Sequence, residues 1–287
     1  MVDPLAAGSS RPSVVTIGNF DGVHVGHRRL IGEAMRVAQR NGWRSVALTF
    51  DRHPATVVRP GSVPPLLTDL EQKVALLRAT GVDEVVVLTF DEARAAEPAE
   101  EFAREMLAGR LGARAVVVGT NFRFGNRHLG DVALLAKLGD ELGFAVTAFD
   151  LVADDERREP VSSSRIRALI ETGELEHASR LLARPYRLPA TLEGGSPHGA
   201  APAADELVGA RREAPDRGRA IVAAGLCLPP PGRYEGAIVA SSPRTAIAPG
   251  TGSLARLELR GRRVEGEVPP GLAPGDPVLI ELTGRSA

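Results

Sequence analysis

Two histidines stand three residues apart in the glycine-rich run Gly18-Asn19-Phe20-Asp21-Gly22-Val23-His24-Val25-Gly26-His27, the part of this 287-residue sequence best equipped for chemistry. At a helix start such a pair shares a face, so His24 and His27 can meet one ligand. Gly18 and Gly22 allow a sharp turn and a close approach of backbone to that ligand. Gly26 leaves room between the histidines for an adenine or ribose face. A helix N-terminus adds unpaired N–H groups and partial positive charge, which suits phosphate. The competing reading is two solvent-exposed histidines on an ordinary strand–helix turn. The flanking glycines favour the ligand.

Two other segments have similar capacity. Gly119-Thr120-Asn121-Phe122-Arg123-Phe124-Gly125 offers Arg123 to a phosphate and Phe122 and Phe124 to a flat ring. It also reads as a tight turn with two core phenylalanines. Val161-Ser162-Ser163-Ser164-Arg165-Ile166-Arg167 puts hydroxyls at a helix start with an arginine one turn inside, or is a serine N-cap with solvated arginines.

These segments need elements to hold them. Val14–Ile17, Ser45–Phe50, Glu84–Phe90, Ala115–Gly119 and Ala145–Leu151 are short apolar runs that read as strands. Between them, 26–40, 68–77, 100–111 and 131–142 carry helix-period apolar residues, with a capping-box pattern at Thr68-Asp69-Leu70-Glu71 and a cap at Asp131. Residues 163–172 and 174–183 read as two more helices separated by Gly173. Strands buried on both faces and alternating with helices predict βαβ units and a parallel sheet. Ligands of such sheets lie at the carboxyl ends of the strands, here the loops after Ile17, Phe50, Val118 and Leu151.

After Pro185 the composition shifts. Residues 194–217 are rich in Gly, Pro, Ala and charge and read as loop. Ala220–Leu226, Tyr234–Ala240, Leu254–Leu259 and Pro277–Leu282 read as strands of a small all-β domain. With 35 basic against 36 acidic residues the chain has no basic footprint for a nucleic acid. Its single cysteine, Cys227, allows neither an intramolecular disulfide nor a cysteine-based zinc site. The N-terminus has no signal pattern, and the apolar run 220–228 is too short to span a bilayer, so the expected location is the cytoplasm, away from membranes.

Four segments in this order resemble one family, the prokaryotic bifunctional riboflavin kinase/FMN adenylyltransferase, or FAD synthetase. They are the G-x-F-D-G-x-H-x-G-H turn, Thr49-Phe50-Asp51-Arg52-His53-Pro54, the G-x-N-F-x-F-G loop and the S-S-x-R-I-R helix start, and the resemblance covers about 14–186. It implies a Rossmann-like nucleotidyltransferase domain over 1–186, followed by a small β-barrel-like domain over 187–287. It implies that His24 and His27 contact ATP phosphates and that Asn121 lies beside the transferred phosphate. Ser163, Ser164 and Arg167 would hold the leaving pyrophosphate, and Gly18, Phe20, Asp21, Gly22 and Gly26 would shape the ATP site. Phe122, Arg123 and Phe124 fall to the flavin side, and His53 either lines that side or is a satisfied structural histidine. Substrates would be ATP, accompanied by Mg²⁺, and FMN; no metal ligand is assigned to the protein itself.

The second domain departs from the pattern. The family's kinase marker is P-T-A-N, and here the corresponding residues are Pro202-Ala203-Ala204-Asp205. Gly194–Gly199 lacks the usual basic glycine-rich form, and the place of the kinase glutamate, counted back from Glu265-Gly266, falls near Ser253 and Leu254. Pro230-Pro231-Gly232-Arg233-Tyr234 nevertheless resembles the barrel's P-x-G-x-Y turn. The expectation is an FMN adenylyltransferase with a degenerate kinase barrel. The alternatives are transfer to another flavin-like phosphate and a non-catalytic flavin or nucleotide sensor; the intact His24, His27, Asn121 and Arg167 set argues against the sensor. The sequence leaves the oligomeric state open.

Overall fold

A computed structural model describes residues 11–150, 153–154, 159–193, 217–241 and 255–286. The chain divides into two compact units, Met1–Arg165 and Ile166–Ala287.

The first unit is built on five parallel strands. In chain order they and their helices are β1 (Ser13–Ile17), α1 (Val25–Asn41), β2 (Arg44–Phe50), α2 (Ala55–Val58), α3 (Leu70–Arg78), β3 (Glu84–Leu88), α4 (Glu92–Ala96), α5 (Ala99–Glu101), β4 (Ala113–Gly119), α6 (Val132–Leu142) and β5 (Ala145–Phe149). The sheet order is β3-β2-β1-β4-β5, every pair parallel. From β1 the chain fills one side of the sheet, then returns to fill the other. The strand order therefore reverses between β1 and β4, and the crevice above their carboxyl ends is where ligands bind in such sheets.

Central strands β1, β2 and β4 are buried almost throughout, as their β-branched runs require. The expectation of burial on both faces fails at the edges. Much of β3 is only half-buried and β5 is largely exposed, because each has a neighbour on one side alone. β3 also stops at Leu88, short of Phe90, whose N–H donates to the Asp51 carboxylate (2.9 Å) instead of the ladder. β5 ends at Phe149, and Leu151 lies outside the described residues. On α1, Leu30, Ile31, Ala34 and Ala38 form the buried stripe. The helix expected over 100–111 is α only in α5; Phe102–Arg110 continues as a π-helix, whose wider turn keeps Phe102, Ala103, Met106 and Leu107 on one buried side. The cap of α3 is Asp69, accepting from Gln72 N–H (2.8 Å), and not Thr68, whose hydroxyl is engaged elsewhere. Asp131 caps α6 as expected, accepting from Leu134 N–H (2.9 Å).

Helix α7 (Ser163–Thr172) runs across the division between the units, and α8 (Leu175–Leu182) follows after Gly173. The compact units part at Arg165/Ile166, before the sequence-read division at 186/187, because α8 packs on the strands that follow it. Those strands are β6 (Tyr186–Glu193), β7 (Arg217–Val222), β8 (Gly232–Ala240), β9 (Ala255–Arg260), β10 (Arg263–Glu267) and β11 (Pro277–Arg285). They form a closed barrel in the order β10-β7-β6-β11-β8-β9, and β9–β10 pairing completes the ring. β6 and β10 were not anticipated. Pro189 disguises the first, and the alternation of charges in Arg263-Val264-Glu265 disguises the second. In this unit Tyr234 donates its hydroxyl to the Pro230 carbonyl, and Arg187 and Glu281, cross-strand partners, form a buried ion pair (2.7 Å). Among the described residues no helix is long and apolar enough to cross a membrane.

Candidate active site

The first unit contains a cleft of about 780 Å³ at the switch point of the sheet. One wall is the turn between β1 and α1. Its backbone is tight: Phe20 (φ 50°), Gly22 (φ 82°) and Val23 (φ 41°) all take left-handed conformations. For Val23, which is β-branched, this is strained. The strain is offset by complete burial of the Phe20 and Val23 side chains.

His24, 4% exposed, is the N-cap of α1. Its Nδ1 accepts the main-chain N–H of His27 (3.3 Å), so the neutral ring carries its proton on Nε2. The two imidazoles stack with centroids 3.6 Å apart and planes 17° from parallel. Phe20 meets His27 edge-on at 5.2 Å. Nδ1 of His27 is buried without a partner. An unsatisfied acceptor is less costly there than an unsatisfied N–H, so His27 too favours the Nε2–H tautomer. Burial first, then the neighbouring His24 and Lys73, hold the His27 pKa well below its ordinary value of 6.5. His27 is therefore a neutral donor at physiological pH. Two stacked N–H donors stand at a helix N-terminus whose Val25 and Gly26 N–H groups have no intrahelical partner.

Of the residues singled out by sequence, Gly18, Phe20, His24, Gly26, His27, Asn121, Phe122, Arg123, Phe124 and Ser163 line the cleft together. Gly26 also accommodates the histidine ring: a Cβ there would lie 3.1 Å from Cε1 of His24. Asp21, 3% exposed, does not face the cleft; its carboxylate accepts from Leu67 N–H (3.0 Å), Thr68 N–H (3.1 Å) and the Thr68 hydroxyl (3.3 Å). The Gly22 N–H donates to that hydroxyl (3.2 Å), so Asp21 and Gly22 brace the turn from behind. His53 is also turned to structure, its Nδ1 accepting from Ala55 N–H (3.1 Å) outside the lining. Ser163 donates to the Asp21 carbonyl (2.8 Å), and Ser162, which lines the cleft beside it, caps the helix by accepting from Arg165 N–H (3.2 Å). Ser164 is exposed and outside the lining. Arg167 is buried and belongs to the second unit, where its carbonyl accepts from the Cys227 thiol (3.8 Å).

The lining is also aromatic. Phe122 and Phe124 lie nearly parallel at 5.5 Å, and Phe50 meets Phe90 edge-on at 5.2 Å. Arg123 is exposed at the rim and pairs with Asp131 (3.4 Å). Phe50, Phe90 and the Arg94–Glu97 pair (2.6 Å) were not anticipated as lining. Phe50 ends a strand and belongs to the Thr49–Pro54 segment of the resemblance, which gives its ring no role of its own. Phe90 and Arg94 follow a strand whose loop carried no glycine or histidine signal.

A parallel sheet with a two-histidine helix start at its switch point defines a Rossmann-like α/β domain. Sequence comparison makes it specific: a match to the FAD synthetase family covers residues 7–165, more than half of the chain, and the chain belongs to that family. It is 34% identical over 175 residues to the bifunctional riboflavin kinase/FMN adenylyltransferase of Escherichia coli (strain K12), a match covering 61% of this chain and 55% of the relative. The protein of the same name from Pseudomonas fluorescens is 35% identical over 178 residues, with 62% and 56% covered. That of Buchnera aphidicola subsp. Schizaphis graminum is 28% identical over 176 residues, with 61% and 56% covered. The match thus spans little more than half the length of these relatives. The crystal structure of a macrolide-efflux protein from Streptococcus pneumoniae shares the fold, with a TM-score of 0.76 at 21% identity, covering 98% of this chain and 87% of that one.

Proposed function

We propose that this chain transfers AMP from Mg-ATP to FMN, giving FAD and pyrophosphate. The observation that carries the reading is the stacked His24–His27 pair, with its tautomers set toward donation, in a cleft whose lining also holds Phe50, Phe90, Phe122 and Phe124. The donors suit the phosphates of ATP, and the aromatic rings suit a flat tricyclic ring.

The reaction is an in-line displacement. A phosphate oxygen of FMN forms a bond to the α-phosphorus, the bond from that phosphorus to the bridging oxygen breaks, and pyrophosphate leaves with the electron pair. The FMN phosphate is already an anion, so no general base is required, and neither histidine is assigned one. What the site supplies is donors to the charge that develops on the α-phosphate and the leaving group. His24, His27 and the α1 N-terminus serve the α-phosphate with Asn121 beside it; Ser162 and Ser163 receive the pyrophosphate. Phe122 and Phe124 cover the flavin, with Phe50 and Phe90 completing the apolar wall. Among the described residues no group of three or more His, Cys, Asp or Glu is placed to hold a metal ion. Magnesium suits one carboxylate plus phosphate oxygens, and Asp150 in the lining offers the carboxylate to an ion arriving on ATP, where it would neutralise phosphate charge.

The second unit is proposed to lack kinase activity. Pro202-Ala203-Ala204-Asp205, Gly194–Gly199, Ser253 and Leu254 lie outside the described residues, so this part rests on residue identity alone. The deciding experiment is incubation of the purified chain with Mg-ATP and FMN, with FAD and pyrophosphate measured together. Stoichiometric formation of both is expected. ATP binding without pyrophosphate release would refute the assignment, and turnover with another flavin phosphate but not FMN would move it to that substrate.

A further inference from the structure

We propose that Lys73 is a positioning residue for adenylyl transfer, its buried ammonium group clasping the main-chain ends of β1 and β2 and so fixing the seat of His27. This rests on the function proposed above. Lys73 lies on α3, is 6% exposed and does not line the cleft. Its Nζ donates to the Asn19 carbonyl (3.2 Å) and to the Phe50 carbonyl (2.7 Å). Both recipients belong to cleft-lining residues, one in the turn after β1 and the other at the last position of β2. The Thr49 hydroxyl donates to the same Asn19 carbonyl (3.1 Å). That carbonyl fixes the plane of the Asn19–Phe20 peptide, immediately before the left-handed Phe20 whose ring abuts His27.

Keeping an ammonium in this place is costly. Burial lowers the Lys73 pKa to about 8, although the carboxylates of Asp21 and Asp51 act in the opposite sense. An apolar side chain would fill the volume without that penalty. The charge has a second effect: together with His24, and beyond burial, it opposes protonation of His27. Lys73 therefore acts on His27 mechanically, through Asn19 and Phe20, and electrostatically, by keeping its ring a neutral donor.

The test uses the full chain and two substitutions. Lys73→Met keeps the length and removes both charge and donors. Lys73→Gln keeps N–H donors and removes the charge. With Mg-ATP and FMN, Lys73→Met should lower kcat roughly ten- to hundredfold, the scale of a misplaced reacting group, with a far smaller change in KM for ATP. The acid limb of its pH profile should move to higher pH, because His27 no longer sits beside a cation. Lys73→Gln should recover kcat toward wild type while retaining the displaced acid limb. A folded Lys73→Met chain with wild-type kcat and an unmoved acid limb would overturn the proposal. A substrate-free measurement covers failure of the variants to fold. The imidazole Cε1–H resonance of His27, assigned by its loss in His27→Ala, should show a second inflection in the wild type somewhere between neutrality and the ordinary lysine pKa of 10.5, as Lys73 discharges. A resonance unchanged through that range would equally overturn it. Because the titration needs no substrate, an inflection in a protein that makes no FAD would sink the proposed function and leave the Lys73 contact standing.

Discussion

The ring of His24 has two tasks that constrain each other: its Nδ1 caps α1 through the His27 N–H, and that contact decides where its own proton lies. Gly26 protects the arrangement. Replacing it with alanine puts a Cβ 3.1 Å from Cε1 and 3.2 Å from Nδ1 of His24, so the ring must yield by a few tenths of an ångström. Gly26→Ala is expected to fold, since alanine is favoured in a helix, yet to lower kcat roughly tenfold. Steady-state kinetics beside a thermal melt check this, and wild-type kcat would show that the ring's position is immaterial. His27 supplies a second expectation. Its folded pKa lies below the 6.5 of the unfolded chain, so between those values the unfolded state binds a proton that the folded state does not. The resulting stability is complete above pH 6.5 and is lost as pH falls toward the folded pKa. Urea unfolding at stepped pH should show wild type losing more stability on acidification than His27→Gln.

Between elements, the turn after β1 is held by contacts that local sequence does not announce. Asp21 sits in the middle of the recognisable motif, and the resemblance implies that it helps shape the ATP site. Its carboxylate instead satisfies two buried N–H groups and a hydroxyl in the segment leading to α3. Asp21→Ala would leave the Leu67 and Thr68 N–H groups buried without partners, at a cost of about 3 kcal/mol. The urea midpoint should fall accordingly, with activity falling as the turn loosens; an unchanged midpoint would mean that water replaces the carboxylate. This residue illustrates what could be read in advance. The central strands were legible because burial on both faces demands continuous β-branched runs, and the two-histidine turn because glycine and histidine are rarely combined without purpose. Asp21, Lys73 and Phe90 were not, because their partners are distant in sequence. The π-helix of 102–110 has the same apolar residues an α-helix would use, and β6 conceals itself behind Pro189.

At the scale of the whole molecule, the chain joins two folds of different kinds, and the cleft proposed above for nucleotide chemistry lies in the first. The second unit is a closed barrel whose Tyr186, Leu188, Tyr234, Leu257, Val264 and Ile280 are buried, so its architecture survives whether or not it catalyses anything. Kinase action would depend on holding ATP and its metal in line with a riboflavin hydroxyl, which is a matter of positioned donors and not of fold. The resemblance assigns that task to a threonine and an asparagine where this chain has Ala203 and Asp205. Alanine offers no hydroxyl to the metal, and an aspartate sets a negative charge near the phosphates in place of an amide. The full chain given riboflavin and Mg-ATP should therefore yield no FMN, while the same preparation given FMN should yield FAD. Separating the flavins by chromatography after both incubations reads the two activities independently. FMN appearing from riboflavin would refute the silent-kinase reading and would require the barrel to bind the metal through groups other than those at 203 and 205.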